Sequence, residues 1–252
     1  EVLGAGFSGA GGRLCILGAG NCNDLELPSL LSAYREVHLV DLDPAALAEG
    51  VVRQGVADHP GLFLHGGLDL TAMVDVLSHW SPRSEIHAAD LDALAQWPAS
   101  RVPLVLPGPF DHVASTCLLS QLTDTVAHAL GDEHPRLTVV TEAVRRGHLR
   151  LLARLAWPMG RASLITDVAS CKCFPALPET PDDRLAELFP WLLRTGAHYH
   201  TLHPNQLLAA IRHDPAIGPR LTGLETFPPW RWRLHSRVFL VWAVSLRFAS
   251  LR

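Results

Sequence analysis

Two extended apolar stretches close to the C-terminus constrain this chain most. Leu221–Phe227, continued by Trp230 and Trp232, and Arg237–Leu246 (RVFLVWAVSL) leave no room between them for a crossover helix. They therefore have to pair as an antiparallel hairpin. What precedes them alternates instead. Arg13–Leu17, Glu36–Leu42, Leu62–Leu64, Phe110–Thr116 and Arg161–Asp167 are apolar runs of strand length. Between them lie segments at helical spacing: Leu25–Tyr34 with Asp24 as N-cap, Ala45–Gln54 with Pro44 in its first turn and Gly55 at its end, and Leu70 to about His79. Further helices are predicted at Gln121–Leu130, Arg145–Leu155, Asp183–Leu193 and Asn205–His213, with Arg136–Thr141 opening another element. Pro98, Pro103, Pro107 and Pro109 mark a loop ahead of the fourth strand. Strands separated by helices make βαβ units, and so a parallel sheet covered on both faces. The expected fold class is α/β, a three-layer sandwich whose mostly parallel sheet ends in a C-terminal antiparallel hairpin.

At 252 residues, 48% apolar and 18% charged, the chain can bury a full core. A net charge of −4 argues against an electrostatic nucleic-acid binder, which normally presents a basic face. Arg145, Arg146, Arg150 and Arg154 stand at helical spacing and read as a solvated stripe. The longest apolar segment, Val238–Leu246, is of strand length, so no membrane span is expected. Five cysteines lack framework spacing, and Cys171-Lys172-Cys173 has no second pair to complete a zinc site. They read as reduced thiols of a cytoplasmic protein. Residues 1–12 are expected to be a flexible lead-in. Gly4–Gly9 fits GxGxxG, but no strand precedes it and no helix follows. Residues 13–252 are expected to form a single domain.

The sharper signal is CILGAGNCNDLEL, residues 15–27, where two glycines follow the first strand. A dinucleotide loop needs a third glycine three positions after Gly20, and Asn23 stands there. Asp24 and Glu26 would repel a pyrophosphate at the following helix, and no GK[ST] makes a phosphate-binding loop. A neutral or cationic nucleoside suits the loop better. Gly18 and Gly20 let backbone pass close to a ligand. Asp41 ends the second strand 21 residues after Gly20, where an acidic side chain reaches ribose hydroxyls in this topology.

With those residues in place, the chain resembles the class I S-adenosylmethionine-dependent methyltransferases over roughly residues 13–248. Their fold is a seven-stranded sheet ending in such an antiparallel pair. ILGAGNCNDL is similar to the family's first motif, and the resemblance implies that Gly18, Ala19 and Gly20 surround the methionine part of the cofactor. LVDLDP resembles the second motif, implying Asp41 on the ribose and Leu42 against adenine. GGLDLT resembles the third, with Asp69 toward the adenine amino group and Leu70 beside it. FDHVASTCLLSQL resembles the fourth strand and its exit, where Ser115, Thr116 and Cys117 would edge the methyl-transfer site. Ile16 stands where the family commonly has an acidic residue and Cys22 where it has a third glycine; Asn21 and Asp24 are the candidates to replace the lost polar contacts.

The resemblance implies methyl transfer from S-adenosylmethionine, with a small-molecule acceptor under an inserted, cap-like segment around 169–218. Two other classes stay open: an NAD-type oxidoreductase, and a non-catalytic binding module on the same fold. A base is needed only when the acceptor carries a proton at attack. Candidates are His112, Asp111, Glu142, Asp167 and the cluster His198, His200 and His203; no catalytic residue is singled out, and no metal site is expected. Two features carry alternatives. Asp69 could cap the following helix as well as bind adenine. Trp230 and Trp232 could line a pocket or pack on the sheet. The acceptor and the oligomeric state are not legible.

Overall fold

The computed structural model describes residue 3, residues 11–234 and residues 236–249. The Gly4–Gly9 stretch and most of the 1–12 lead-in lie outside the described residues. The apolar runs read as strands become β1 (Arg13–Leu17), β2 (Glu36–Asp41), β3 (Leu62–Gly66), β4 (Phe110–Thr116), β5 (Ala156–Ser170), β6 (Leu221–Leu234) and β7 (Arg237–Phe248). They form one seven-stranded sheet in the order β3-β2-β1-β4-β5-β7-β6. The β1–β2, β1–β4, β2–β3 and β4–β5 pairs are parallel, whereas β7 runs antiparallel to both β5 and β6. A dinucleotide-binding sheet has the order 3-2-1-4-5-6 without that antiparallel strand wedged in. The sheet therefore departs from the oxidoreductase alternative.

Alternation along β1 and β2 divides the core. Leu14, Ile16, Val37 and Leu39 pack with Leu27, Leu30 and Tyr34 of α1 (Leu27–Ala33) and its end, and with Leu47 and Val51 of α2 (Pro44–Arg53). Cys15, Leu17, Val40 and Val113 pack on the other side, in a cluster that includes Leu149 and Leu152 of α6 (Leu137–Leu155). Leu185 of α7 (Leu185–Thr195) and Leu207 and Ile211 of α8 (Pro204–His213), from the segment between β5 and β6, join that second cluster. β6 is the outermost strand, and its Pro228–Pro229 pair falls in a register shift between Phe227 and Trp230. Proline cannot donate to a ladder, so an edge strand is where it is tolerated.

Several local expectations are corrected. The helix after β3 shrinks to α3 (Val74–Leu77), because Ala72 takes a left-handed φ of 55° and interrupts it. The proline-marked loop contains a full helix, α4 (Ala88–Arg101), with Pro98 inside it. The Asp90 carboxylate accepts the His87 N–H at 2.8 Å at its start. Leu94 packs with Val140 and Val144 of α6 and with Val126 and Leu130 of α5 (Leu118–Leu130), and that packing overrides the weak local pattern. The pieces around 136–141 and 145–155 are one helix, α6. Asp24 does not cap α1, whose N-cap position is Glu26 without a side-chain bond. The arginine stripe is only partly solvated: Arg150 Nε donates to the Asp214 carboxylate at 2.9 and 3.2 Å, and Arg145 to the Thr201 carbonyl at 3.1 Å.

Candidate cofactor and acceptor site

The glycine loop is folded back against β2. Gly18 and Ala19 N–H both donate to the Val40 carbonyl, at 2.9 and 3.2 Å. Gly18 has φ +76°, and a Cβ there would stand 2.7 Å from Leu118 Cβ, so the position admits only glycine. Gly20 has φ +51° and faces open space, leaving its backbone accessible to a ligand. At the end of β2 the Asp41 carboxylate accepts the Gly20 N–H at 2.8 Å through Oδ2 and the Asp43 N–H at 3.0 Å through Oδ1. Each oxygen keeps a lone pair for a further donor.

The rest of the loop is stapled from α2 and its end. Gln54 Nε2 donates to the Cys22 and Leu25 carbonyls at 2.8 Å each, while its Oε1 accepts the Leu27 N–H at 2.9 Å. Arg53 donates to the Asn21 carbonyl and, at 2.7 Å, to Asn23 Oδ1. Cys22, at the position of the family's third glycine, holds φ +57° although it is not glycine, and it is buried. Strain of order 1–2 kcal/mol attends such a residue, and the Gln54 and Arg53 bonds fix the loop around it.

The other residues proposed for cofactor binding divide. Leu42 follows Asp41 with 53% of its surface exposed, an apolar face free for a flat ring. Leu70 is buried. Asp69 Oδ1 accepts the Thr71 N–H and hydroxyl at 2.8 and 2.6 Å, and Oδ2 accepts the Val74 N–H at 2.8 Å, so it shapes the turn into α3. Thr116 Oγ1 donates to the Gly18 carbonyl at 2.9 Å and ties the exit of β4 to the loop. Ser115, at 0% exposure, points away from that exit and bonds His148 Nε2 of α6 at 2.8 Å.

Cys117 caps α5 in a left-handed conformation, its N–H donating to the Ile165 carbonyl at 2.9 Å. Burial, reinforced by Asp167 and Asp24, pushes its thiol well above the usual range, so it stays uncharged. Asp24 itself stands on the exposed side of the loop, its carboxyl raised by partial desolvation. Trp232 of the hairpin shares a cavity wall with Cys117, so it takes part in more than the packing of the sheet.

Beyond Cys117 opens a cavity of about 580 Å³, within the range of small-molecule pockets. Its walls come from five stretches: Ser120 and Asp124 of α5, Thr141 of α6, Asp167 of β5, Lys172 and Tyr199 of the segment after β5, and Trp232, Arg237 and Phe239 of the hairpin. Asp167 is 5% exposed and accepts the Ser120 hydroxyl at 2.5 Å. Burial raises its carboxyl above the usual range, the Ser120 bond and the Arg237 charge opposing.

Of the proposed bases, only Asp167 lines this cavity. His112 lies near the start of β4, at the end opposite Cys117, buried between Tyr34 (2.8 Å) and Ser163 (2.9 Å); burial lowers its pKa to about 3. Asp111 accepts the Arg13 N–H at that same end, and Glu142 is exposed on α6. The rings of His198, His200 and His203 meet edge to face, His198 lying 5.0 and 5.1 Å from the other two. Among the described residues no group of three His, Cys, Asp or Glu side chains could hold a metal ion, and no helix is long and apolar enough to cross a membrane. Sequence reasoning passed over Lys172, although it is the only lysine in the chain.

No protein-family model and no curated protein sequence matches the chain. Solved structures do. The YcgJ protein of Bacillus subtilis superposes with a TM-score of 0.50 at 13% identity, over 100% of this chain and 97% of that one. The N-methyltransferase NodS of Bradyrhizobium japonicum, in complex with S-adenosyl-L-homocysteine, gives 0.46 at 10% identity, over 98% and 82%. An rRNA methylase of Streptococcus thermophilus gives 0.45 at 10%, over 99% and 93%. At such identities the likeness speaks for the fold alone. The sheet order with its antiparallel β7 is that of the class I S-adenosylmethionine-dependent methyltransferases, and this chain has that fold.

Proposed function

We propose that the protein binds S-adenosylmethionine at the glycine loop and transfers its methyl group to a small-molecule acceptor in the cavity beyond Cys117. One observation carries the reading: the loop and the cavity adjoin at the exit of β4, where Thr116 donates to the Gly18 carbonyl at 2.9 Å and the next residue, Cys117, lines the cavity. The residues fit the cofactor. Gly20 offers open backbone, Asp41 retains acceptor capacity for ribose hydroxyls, and Leu42 offers an apolar face to adenine. Bound there, the cofactor supplies an electrophilic methyl group. Asp41 fixes the ribose and the loop together. The Cys117 thiol, kept uncharged by burial, does not compete for the methyl group. The walls from Tyr199 and Trp232 exclude water and hold the acceptor in line, where most of the acceleration of a displacement originates. Calorimetry tests the reading: S-adenosylhomocysteine should bind one per chain and NAD not at all. No binding of either S-adenosylmethionine or its demethylated product, or tighter binding of NAD, overturns it.

A further inference from the structure

The cavity is not uniform, and its asymmetry restricts the acceptor. At its inner end Asp167, almost wholly buried, uses Oδ1 on the Ser120 hydroxyl. Oδ2 has no hydrogen-bond donor among the described side chains and is not sealed from solvent. Around the middle stand three aromatic side chains, Tyr199, Trp232 and Phe239, with Trp232 and Phe239 ring centroids 5.2 Å apart. The exposed charged side chains of the cavity wall are two cations, Lys172 and Arg237, and one carboxylate, Asp124; among the described residues neither cation is in an ion pair, and Arg237 lies 5.1 Å from the Phe239 ring. The backbone explains how these groups meet. Val241 of β7 pairs with Asp167 on one side and Trp230 on the other, and both neighbouring strands are irregular at that level. Such irregularities re-aim side chains beside functional sites.

Resting on the methyltransferase reading, we propose that the acceptor is an aromatic hydroxy acid, its hydroxyl donating to Asp167, its ring between the aromatic walls and its carboxylate held by Lys172 and Arg237. A flat ring suits three aromatic walls, and unpaired cations at the rim suit an anion. The inner end distinguishes hydroxyl from amine. An ammonium group would pair with Asp167 and be held in its protonated, non-nucleophilic form. A hydroxyl has one proton, and removing it is what the reaction requires. In the step, the acceptor oxygen uses a lone pair to form the bond to the methyl carbon. The carbon–sulfur bond breaks with its electron pair remaining on sulfur, and the hydroxyl proton passes to the Asp167 carboxylate and from there to water. The raised proton affinity of Asp167 favours that transfer.

The test varies one end of a probe at a time, by calorimetry on the full chain saturated with S-adenosylhomocysteine. 4-Hydroxyphenylacetate, 4-methylphenol and tyramine share the ring and hydroxyl and differ in tail charge; phenylacetate keeps the tail and lacks the hydroxyl. The expected order is 4-hydroxyphenylacetate, then 4-methylphenol, then tyramine, with about fivefold between the first two, as one partly exposed ion pair provides. Lys172→Ala with Arg237→Ala should remove that preference and leave 4-methylphenol unchanged. Asp167→Asn, which keeps the shape of the side chain, should bind S-adenosylhomocysteine as the parent does and lose methyl transfer to 4-hydroxyphenylacetate. Tyramine binding tightest, phenylacetate binding as well as 4-hydroxyphenylacetate, or a rim variant that weakens all probes alike overturns the proposal. Failure of S-adenosylhomocysteine to bind at all instead overturns the methyltransferase reading beneath it.

Discussion

Asp41→Ala removes the carboxylate that joins β2 to the glycine loop. Two backbone N–H groups lose their acceptor, that of Gly20 at 2.8 Å and that of Asp43 at 3.0 Å. A hydrogen bond to a charged group contributes about 1.5–3 kcal/mol, and at this half-exposed position water replaces part of each. About 1 kcal/mol per bond, or about 2 kcal/mol together, is therefore the expected loss without ligand. In a chain of this length that lowers Tm by about 4–8 °C. Ligand adds a second effect, because ribose hydroxyls are left facing no acceptor and the Gly20 backbone is no longer preset. S-adenosylhomocysteine affinity should fall by about 1–3 kcal/mol, roughly five- to 150-fold. Scanning calorimetry without ligand measures the first loss and titration calorimetry the second. Asp43→Ala is the comparison. Asp43 accepts the Ala45 and Ala46 N–H groups at 2.9 and 3.1 Å as the N-cap of α2. It should lose about 1 kcal/mol of stability while keeping its affinity within about twofold. If Asp41→Ala binds as well as the parent while Asp43→Ala does not, the ribose contact lies on Asp43 and the reasoning fails.

Ser115→Ala should cost about 1–3 kcal/mol in urea unfolding, because both ring nitrogens of buried His148 would then lack partners, and it should leave S-adenosylhomocysteine affinity unchanged; weakened binding at unchanged stability would refute the structural role. Asp214→Ala leaves the largely buried Arg150 guanidinium without its carboxylate and should cost about 3 kcal/mol, measured in the same way; a loss below about 1 kcal/mol would show that α6 and the end of α8 are held otherwise. Stability should also fall as pH drops from about 6.5 toward 4. Burial lowers His38 and His148 to about 4 and His112 to about 3, so the unfolded chain binds more protons in that window, each histidine contributing up to about 1.4 kcal/mol per pH unit. His65 and His203 are lowered in the same sense, so five histidines act against Asp24 and Asp167, whose raised carboxyls oppose the fall; urea midpoints that stay level from pH 7 to 5 would refute it.

The fold was legible where one physical signal dominated. Two adjacent strands with no room for a crossover can only pair antiparallel, and β6 and β7 do. The expected starts of β1, β2 and β4 are the observed ones, because short apolar runs closed by polar or glycine residues have one economical use in an α/β chain. Legibility ended where tertiary packing overrode local pattern. α4 carries a proline and little amphipathic contrast, and it is a helix because Leu94 buries against α5 and α6. The turn after β3 failed the other way. Its apolar spacing continues helically from Leu70, but Asp69 bonds the Thr71 and Val74 amides and holds the chain in a turn until α3 begins.

The site divides along the same line. The cofactor side follows from βα order alone: a loop after β1 and a carboxylate at the end of β2 must meet, because β1 and β2 are neighbours and the loop folds back over them. The acceptor side has no such rule. Asp167, Lys172, Tyr199 and Trp232 come from separate stretches, and nothing in their spacing brings them together. They meet because β7 inserts between β5 and β6, carrying the far edge of the sheet back over the end of β5. Ser115 shows the limit in a single residue. It stands beside Thr116 at the strand exit, yet successive strand residues face opposite sides of a sheet. Thr116 faces the glycine loop, and Ser115 therefore faces α6. Strand parity decides which polar residue of such an exit can reach a ligand.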